Sequence, residues 1–381
     1  MNMKIGILTF HNSHNCGSML QALALQTILE NRYNATVRII DFSNEAQQNM
    51  YAPIPKPSNW KRLIKSIIWA TNYTQMVKQY NAFDSFSKKY FKLTESRLSD
   101  PALIKDVVEG YDALITGSDQ VWNIKCIDAD DAYFLNFTDS IKKYAYAVSF
   151  GANNPFEINN ERYTKYFNDF RLVSVRERNA QKWIEEATGV HVPVCLDPTM
   201  LFDKEDWENI VDVGDTPVIK GEYIFYYCFG ISEEIQRFLK YVSNKMHMPV
   251  YFMEAKEWTL KACWKNNIKL IKEYGPDVYM NAVKYSKVFI TSSFHGTAFA
   301  TIYRKDFWYI KSKDSESSMD DRAVSFLTQL GLMDRYRTTS ELKETNLLEK
   351  ANYTSIDERI RELRDKSFNY LDNVIRDIKN E

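Results

Sequence analysis

With 381 residues the chain is too long for one ordinary hydrophobic core, so two domains are expected. Its 49 Lys and Arg nearly cancel its 50 Asp and Glu, which leaves no global basic field of the kind that binds nucleic acid. The five cysteines lie far apart with no Cys-x-x-Cys pair, against a zinc cluster and for a reducing compartment, and no apolar run reaches the length of a membrane span. The N-terminus enters a strand at once without a leader-like pattern, so a cytoplasmic protein with no resident metal is expected.

Residues 4–10 form the apolar run of a buried strand. Leu20, Leu23, Ala24, Thr27 and Ile28 then recur at helical spacing, and 36–42 returns as a second strand, so the chain opens with a βαβ unit. The polar turn between them, 11–18, lacks both a G-x-G-x-x-G pattern and a Walker lysine. Asn15 and Gly17 are candidates for substrate contact, and helix capping and turn formation explain them equally.

A helical insertion follows over about 44–105. Trp60, Leu63, Ile64, Ile67 and Ile68 share one face there, with Lys61, Arg62 and Lys65 beside it. A basic amphipathic segment of this kind can make peripheral contact with a membrane at its inner face; packing on its own domain is the preferred reading.

Residues 111–116 are the next strand, ending in an acceptor-rich turn. Ser118, Asp119, Gln120 and Asn123 are candidates for a sugar-binding edge, and an Asx-type turn around a packed Trp122 is the alternative. Strands at 144–151 and 172–177 follow, the second bringing Arg176 to a strand's carboxyl end. There its guanidinium can clamp a carboxylate or phosphate, or pair with Glu177. Residues 192–202 close this half, and the polar stretch 204–220 reads as a linker.

A second α/β series has strands at 222–229, 249–253, 288–290 and 306–310, with helices at 232–246, 276–286, from Gly296 onward, and 320–330. A last amphipathic helix follows, opened by a capping box of Ser355 and Glu358. The strand at 288–290 runs into Thr291-Ser292-Ser293-Phe294-His295-Gly296-Thr297, which places hydroxyls, an imidazole and free helix N–H groups where open α/β sheets bind ligands. His295 can exchange a proton near neutral pH, or it is a packed histidine. Ser292, Ser293, Gly296 and Thr297 join it as binding candidates.

The fold class expected is α/β, two Rossmann-like domains in a glycosyltransferase-B-like arrangement with the active site in the interdomain cleft. The first domain spans 1–203, the second 204–335, and 336–381 is an amphipathic helix packing back on the body. Seven motifs in order carry a closer resemblance: Asn15-x-Gly17, 116–123, 149–151, 174–177, Asp197-Pro198-Thr199, Gly275-Pro276 and 293–297. Over 3–335 they resemble the polysaccharide pyruvyl transferase family.

The resemblance implies a pyruvyl group moved from phosphoenolpyruvate onto a glycan or lipid-linked sugar as a ketal, with no cofactor beyond that donor. It also implies that Arg176 holds the donor's charged end and that His295 is the general acid. One position departs. Members carry an arginine two residues before the histidine, where this chain has Ser293, so a second clamp is missing or comes from Arg304, Lys305 or Arg322. A glycosyltransferase using a sugar nucleotide and a non-catalytic glycan-binding relative are the alternatives.

Overall fold

The computed structural model describes residues 3–311 and 321–380. Five parallel strands, β1 (Lys4–Leu8), β2 (Thr36–Ile39), β3 (Ala113–Thr116), β4 (Lys142–Val148) and β5 (Leu172–Val175), form one sheet in the order β2-β1-β3-β4-β5. The second sheet holds β6 (Ile224–Tyr227), β7 (Val250–Phe252), β8 (Ile268–Leu270), β9 (Val288–Thr291), β10 (Phe307–Ile310) and β11 (Tyr336–Arg337). Its order is β11-β10-β9-β6-β7-β8, again parallel throughout. The inner strands β3, β6, β9 and β10 are buried along their whole length, as a parallel sheet covered on both faces requires.

Counted within its own lobe, the second sheet runs 6-5-4-1-2-3, the doubly wound order, and the first runs 2-1-3-4-5. Each therefore has a switch point where strand order reverses, between β1 and β3 in one and between β6 and β9 in the other. Crevices open at the carboxyl ends of the strands at such points. These are two Rossmann-like domains, and one apolar core runs between them: the Cys16–Asn31 helix is buried almost all round, packed on the Pro276–Tyr285 helix of the second lobe.

The helix Tyr353–Lys379 ties the lobes together. Tyr353 donates its hydroxyl to the Lys305 carbonyl on the second lobe, while Tyr370 donates to Ala145 O and Arg364 to Met200 O on the first. Its N-cap is Asn352, three residues before the expected Ser355, which donates its hydroxyl back to the Asn352 carbonyl from inside the first turn.

Other elements also differ from the reading of the sequence. The expected linker begins with a helix, Lys204–Ile210, because Asp203 and Asp206 cap it reciprocally and Trp207 is fully buried. The strands β8 and β11, of three and two residues, were too short to leave a periodic signal. Asp320, the expected start of a helix, lies outside the described residues; the helix is described as Asp321–Leu330. The expected packing of the basic helix, Trp60–Ala70, is overturned. Trp60, Leu63, Ile64 and Ile67 are 66%, 49%, 48% and 61% exposed, and the helix buries only Ser66 fully.

Candidate active site

The two switch points face each other. From the first lobe come the loop after β1, carrying Asn15 and Gly17, and the loop after β3, carrying Ser118 and Asp119. From the second come the end of β6, with Tyr227, and the loop after β9, with Ser293 and His295. The Tyr227 hydroxyl donates to Asn15 Oδ1 at 3.5 Å across the junction. Gly17 lies directly against the His295 imidazole, and a Cβ at Gly17 would fall well under 3.0 Å from its Cγ, Nδ1 and Cβ. Glycine is required there by close approach.

His295 is held by local chemistry on its own side. The helix Phe294–Ile302 begins two residues earlier than expected, because Ser293 is its N-cap and accepts from Gly296 N at 3.4 Å, so His295 sits in the first turn. Every residue of that helix is buried. Gly296 packs on Thr291, whose Oγ1 a Cβ would strike, and Thr297 Oγ1 donates to the Ser293 carbonyl at 3.2 Å. Ser292 accepts through its carbonyl from Tyr309. Ser293, Gly296 and Thr297 thus build the platform that aims His295.

Asp197 is the centre of charge. Its Oδ2 accepts from Arg176 Nη1 at 2.7 Å, and His295 Nε2 lies 3.4 Å away, outside hydrogen-bond geometry. Its Oδ1 accepts from the Thr199 backbone N at 3.0 Å and the Thr199 hydroxyl at 2.7 Å. Burial alone would raise this carboxyl, but His295 and then Arg176 hold it well below the usual carboxylate range.

Arg176 is itself buried, with its guanidinium 4.2 Å from the Phe294 ring centre. Asp119 Oδ1 lies 3.6 Å from Nη2 and Glu177 Oε2 3.9 Å from Nε, both beyond hydrogen-bond reach. Among the described residues Nη2 and Nε have no hydrogen-bond partner. Two unmet cationic donors in a buried site are what an anionic ligand would satisfy. Burial pushes the Glu177 carboxyl up, and Arg176 and Arg322 oppose that.

The remaining first-lobe candidates divide. Asp119 accepts from the Ser18 hydroxyl and faces Arg176. Ser118 is fully buried, its hydroxyl 2.6 Å from Ala147 O and 3.2 Å from Asp197 Oδ2, so it joins the loop to the Asp197 cluster. Gln120 and Asn123 bond to each other, and Asn123 also accepts from Asn153; this cluster adjoins Gly151. Trp122 stacks on Phe134 and donates its indole N–H to Tyr133 O, the packed arrangement.

Of the cations named for a second clamp, Arg304 pairs with Asp357 and Lys305 donates to Lys284 O, both remote from this cluster. Arg322 is the one whose charge reaches Glu177.

Several residues at the junction were not singled out from the sequence. Asp197 stood in a quoted motif without a role. His14, Tyr51, Trp69, Glu254 and Lys256 line a cavity of about 210 Å³ between the lobes, and only the position of Glu254 just past β7 signalled it. Burial pushes Glu254 up to about 7 and lowers Lys256 to about 8. Gln79 Nε2 donates to Glu254 Oε2 at 3.3 Å. Burial lowers His14, stacked on Phe83, to about 3, so its ring is neutral. The Tyr51 hydroxyl feels the charges of both Asp119 and Glu254, which places it between the ion cluster and this cavity. A larger cavity, about 740 Å³, lies at β8 near Trp258 and Trp264, and it contains none of the switch-point residues. No group of three or more His, Cys, Asp or Glu among the described residues could hold a metal ion.

Among solved structures, the chain resembles a candidate UDP-N-acetylglucosamine 2-epimerase from Listeria monocytogenes, at 11% identity over 94% of this chain and 91% of that one, TM-score 0.50. It also resembles UDP-N-acetylglucosamine 2-epimerase from Rickettsia bellii (10% identity, 99% and 98% covered, TM-score 0.49) and the E. coli heptosyltransferase WaaC (10%, 90% and 98%, TM-score 0.40). At 11% identity the likeness to the Listeria structure is one of fold, the two-lobed glycosyltransferase-B arrangement. No curated protein matches the sequence. The model of one family, described as polysaccharide pyruvyl transferase, matches residues 15–314, a span that opens at Asn15 and takes in Asp119, Arg176, Asp197 and His295. The chain belongs to the polysaccharide pyruvyl transferase family.

Proposed function

We propose that the protein transfers the pyruvyl group of phosphoenolpyruvate to two hydroxyls of one sugar, forming a pyruvate ketal and releasing phosphate. The observation that carries this reading is the buried Arg176–Asp197–His295 constellation at the junction of the two switch points. The donor's enol carbon becomes electrophilic when its methylene takes a proton, and a general acid must stand beside it. His295 is suited to this role by position: it stands in the first turn of the Phe294–Ile302 helix with Nε2 3.4 Å from Asp197, and the backbone of Gly17 holds its ring from the other lobe.

The first sugar hydroxyl adds to that carbon, and the bond from carbon to the phosphate oxygen breaks. The second hydroxyl then closes the ring. Of the two hydroxyl protons released, one balances the proton that made the methyl group and the other leaves on phosphate. The cleft's part is to hold both hydroxyls near one carbon. Arg176 offers two unmet N–H donors to the donor's carboxylate or phosphate, and the charge of Arg322 and the first turns of the Cys16–Asn31 and Phe294–Ile302 helices add positive potential against Asp119 and Asp197.

The acceptor is a glycan precursor, free or lipid-linked. Calorimetric titration with phosphoenolpyruvate tests the donor, run beside Arg176→Ala and with sugar nucleotides as comparators. Binding that depends on Arg176 supports the reading. Binding of a sugar nucleotide alone overturns it in favour of a glycosyltransferase. Binding of neither, with or without sugars present, favours a non-catalytic relative.

A further inference from the structure

We propose that the Trp60–Ala70 helix docks the protein on an anionic lipid surface. Trp60, Leu63, Ile64 and Ile67 recur at i, i+3, i+4 and i+7, so they form one stripe, and all four stand in solvent. Contiguous large apolar side chains on a surface mark an interaction site. The stripe cannot turn inward, because the opposite side of the helix is engaged: Ser66 donates to Pro55 O, and Trp69 donates its indole N–H to Lys256 O, next to the Ala255–Leu260 helix of the second lobe.

Charge decides what covers the stripe. Residues 46–83 carry Lys56, Lys61, Arg62, Lys65 and Lys78 and no Asp or Glu, in a chain whose net charge is -1. Lys61, Arg62 and Lys65 are all exposed on the same helix, Lys61 flanking the stripe and Arg62 and Lys65 on the polar side away from it. A second copy of this chain would bring two such cationic faces together, whereas an anionic bilayer neutralises them. At 11 residues the helix is about 16 Å long, too short to span a bilayer, so it would lie in the interface with its apolar face among the acyl chains. Trp60 at one end and Tyr73, 53% exposed, just past the other are amphipathic anchors suited to the headgroup level.

Docking there also deepens the pyruvyl-transfer reading, on which this last step rests. Trp69, on the packed side of the helix, lines the 210 Å³ interlobe cavity with Tyr51 and Glu254, so a bilayer against the stripe would lie about one helix diameter, roughly 10 Å, from that cavity. A sugar carried on a lipid would then be presented to the cleft.

The test is flotation of the full chain with vesicles of phosphatidylglycerol and phosphatidylcholine, against phosphatidylcholine alone. Partition onto the anionic vesicles is expected, falling about fivefold for each of Lys61→Gln, Arg62→Gln and Lys65→Gln. The triple variant Trp60→Ser, Ile64→Ser, Ile67→Ser is expected to lose partition with its melting temperature unchanged, since all three side chains are exposed. No partition, or partition equal in all variants, overturns the proposal. So does a wild-type dimer in sedimentation that the apolar variant converts to monomer, which would make the stripe a contact between copies. Flotation requires neither donor nor turnover, so its failure leaves the pyruvyl-transfer reading standing, and failure of that reading leaves the flotation result standing.

Discussion

Gly17 of the first lobe and His295 of the second are in van der Waals contact through the imidazole face, with no room for a methyl group between them. The imidazole on one lobe is thereby placed by the backbone of the other, at the N-terminus of a helix that Asn15 caps. Gly17→Ala must either rotate the imidazole away from Asp197 or part the lobes. A displacement near 1 Å costs on the order of 10²-fold in rate when it misplaces a reacting group. Steady-state kinetics should show this loss in kcat, with phosphoenolpyruvate affinity within a fewfold of wild type. Unchanged kcat would separate His295 from the chemistry.

Asp197 accepts from Arg176 and faces His295, so Asp197→Asn leaves the buried Arg176 guanidinium without its hydrogen-bonded counter-ion. Removing one partner of a buried pair costs roughly 3–5 kcal/mol. Urea unfolding at neutral pH should show that loss. The pH dependence has a definite sign. Asp197 is held below its ordinary value of 3.8, so its stabilisation is complete above that pH and declines as the pH falls below it. The variant should lack that acid-side decline, and an identical acid limb in both proteins would count against the pairing.

The parallel strands were legible because a strand buried on both faces is a continuous apolar run, as at β1, β6 and β9. Arg176 and His295 were legible because they stand just past such runs. What the sequence did not carry was the meeting of the two lobes. Nothing local to Gly17 reports an imidazole encoded 278 positions later, and Asp197 acquires its role only when Arg176 and His295 converge on it. The Trp60–Ala70 helix was misjudged for a related reason. Periodicity shows that a face is apolar and is silent on whether protein or solvent covers it.

Glu254 lies at the interlobe cavity, where burial raises its carboxyl from the ordinary 4.5 to about 7. A raised carboxyl favours the folded state most when protonated, so stability is highest below pH 4.5 and declines as the pH climbs toward 7. The side chain keeps some surface against the cavity, so the decline is at most roughly 3 kcal/mol. Glu254→Gln should flatten the stability profile between those values, measured by thermal or urea unfolding across pH. If Glu254 also takes the proton of an acceptor hydroxyl, the same variant loses the basic rise of its kcat profile while phosphoenolpyruvate binding is unchanged. An unaltered profile would leave it a cavity residue alone.

Arg322 matters because Ser293 stands where the resemblance to the family implies an arginine. The three cations considered in its stead are physically distinct. Arg304 is held by Asp357 and Lys305 by the Lys284 carbonyl, whereas the charge of Arg322 acts on Glu177, the neighbour of Arg176. A charge-assisted hydrogen bond contributes about 1.5–3 kcal/mol, so Arg322→Ala is expected to weaken phosphoenolpyruvate binding tenfold or more. Arg304→Ala and Lys305→Ala should each leave it within twofold. The titration must be read beside a thermal melt, since Arg322 also offsets the cost of burying Glu177, and a loss of stability alone would raise the unfolded fraction without changing affinity. If Arg304→Ala weakens the donor and Arg322→Ala does not, Arg304 is the clamp; if none of the three variants weakens it, Arg176 binds the donor with the two helix N-termini alone.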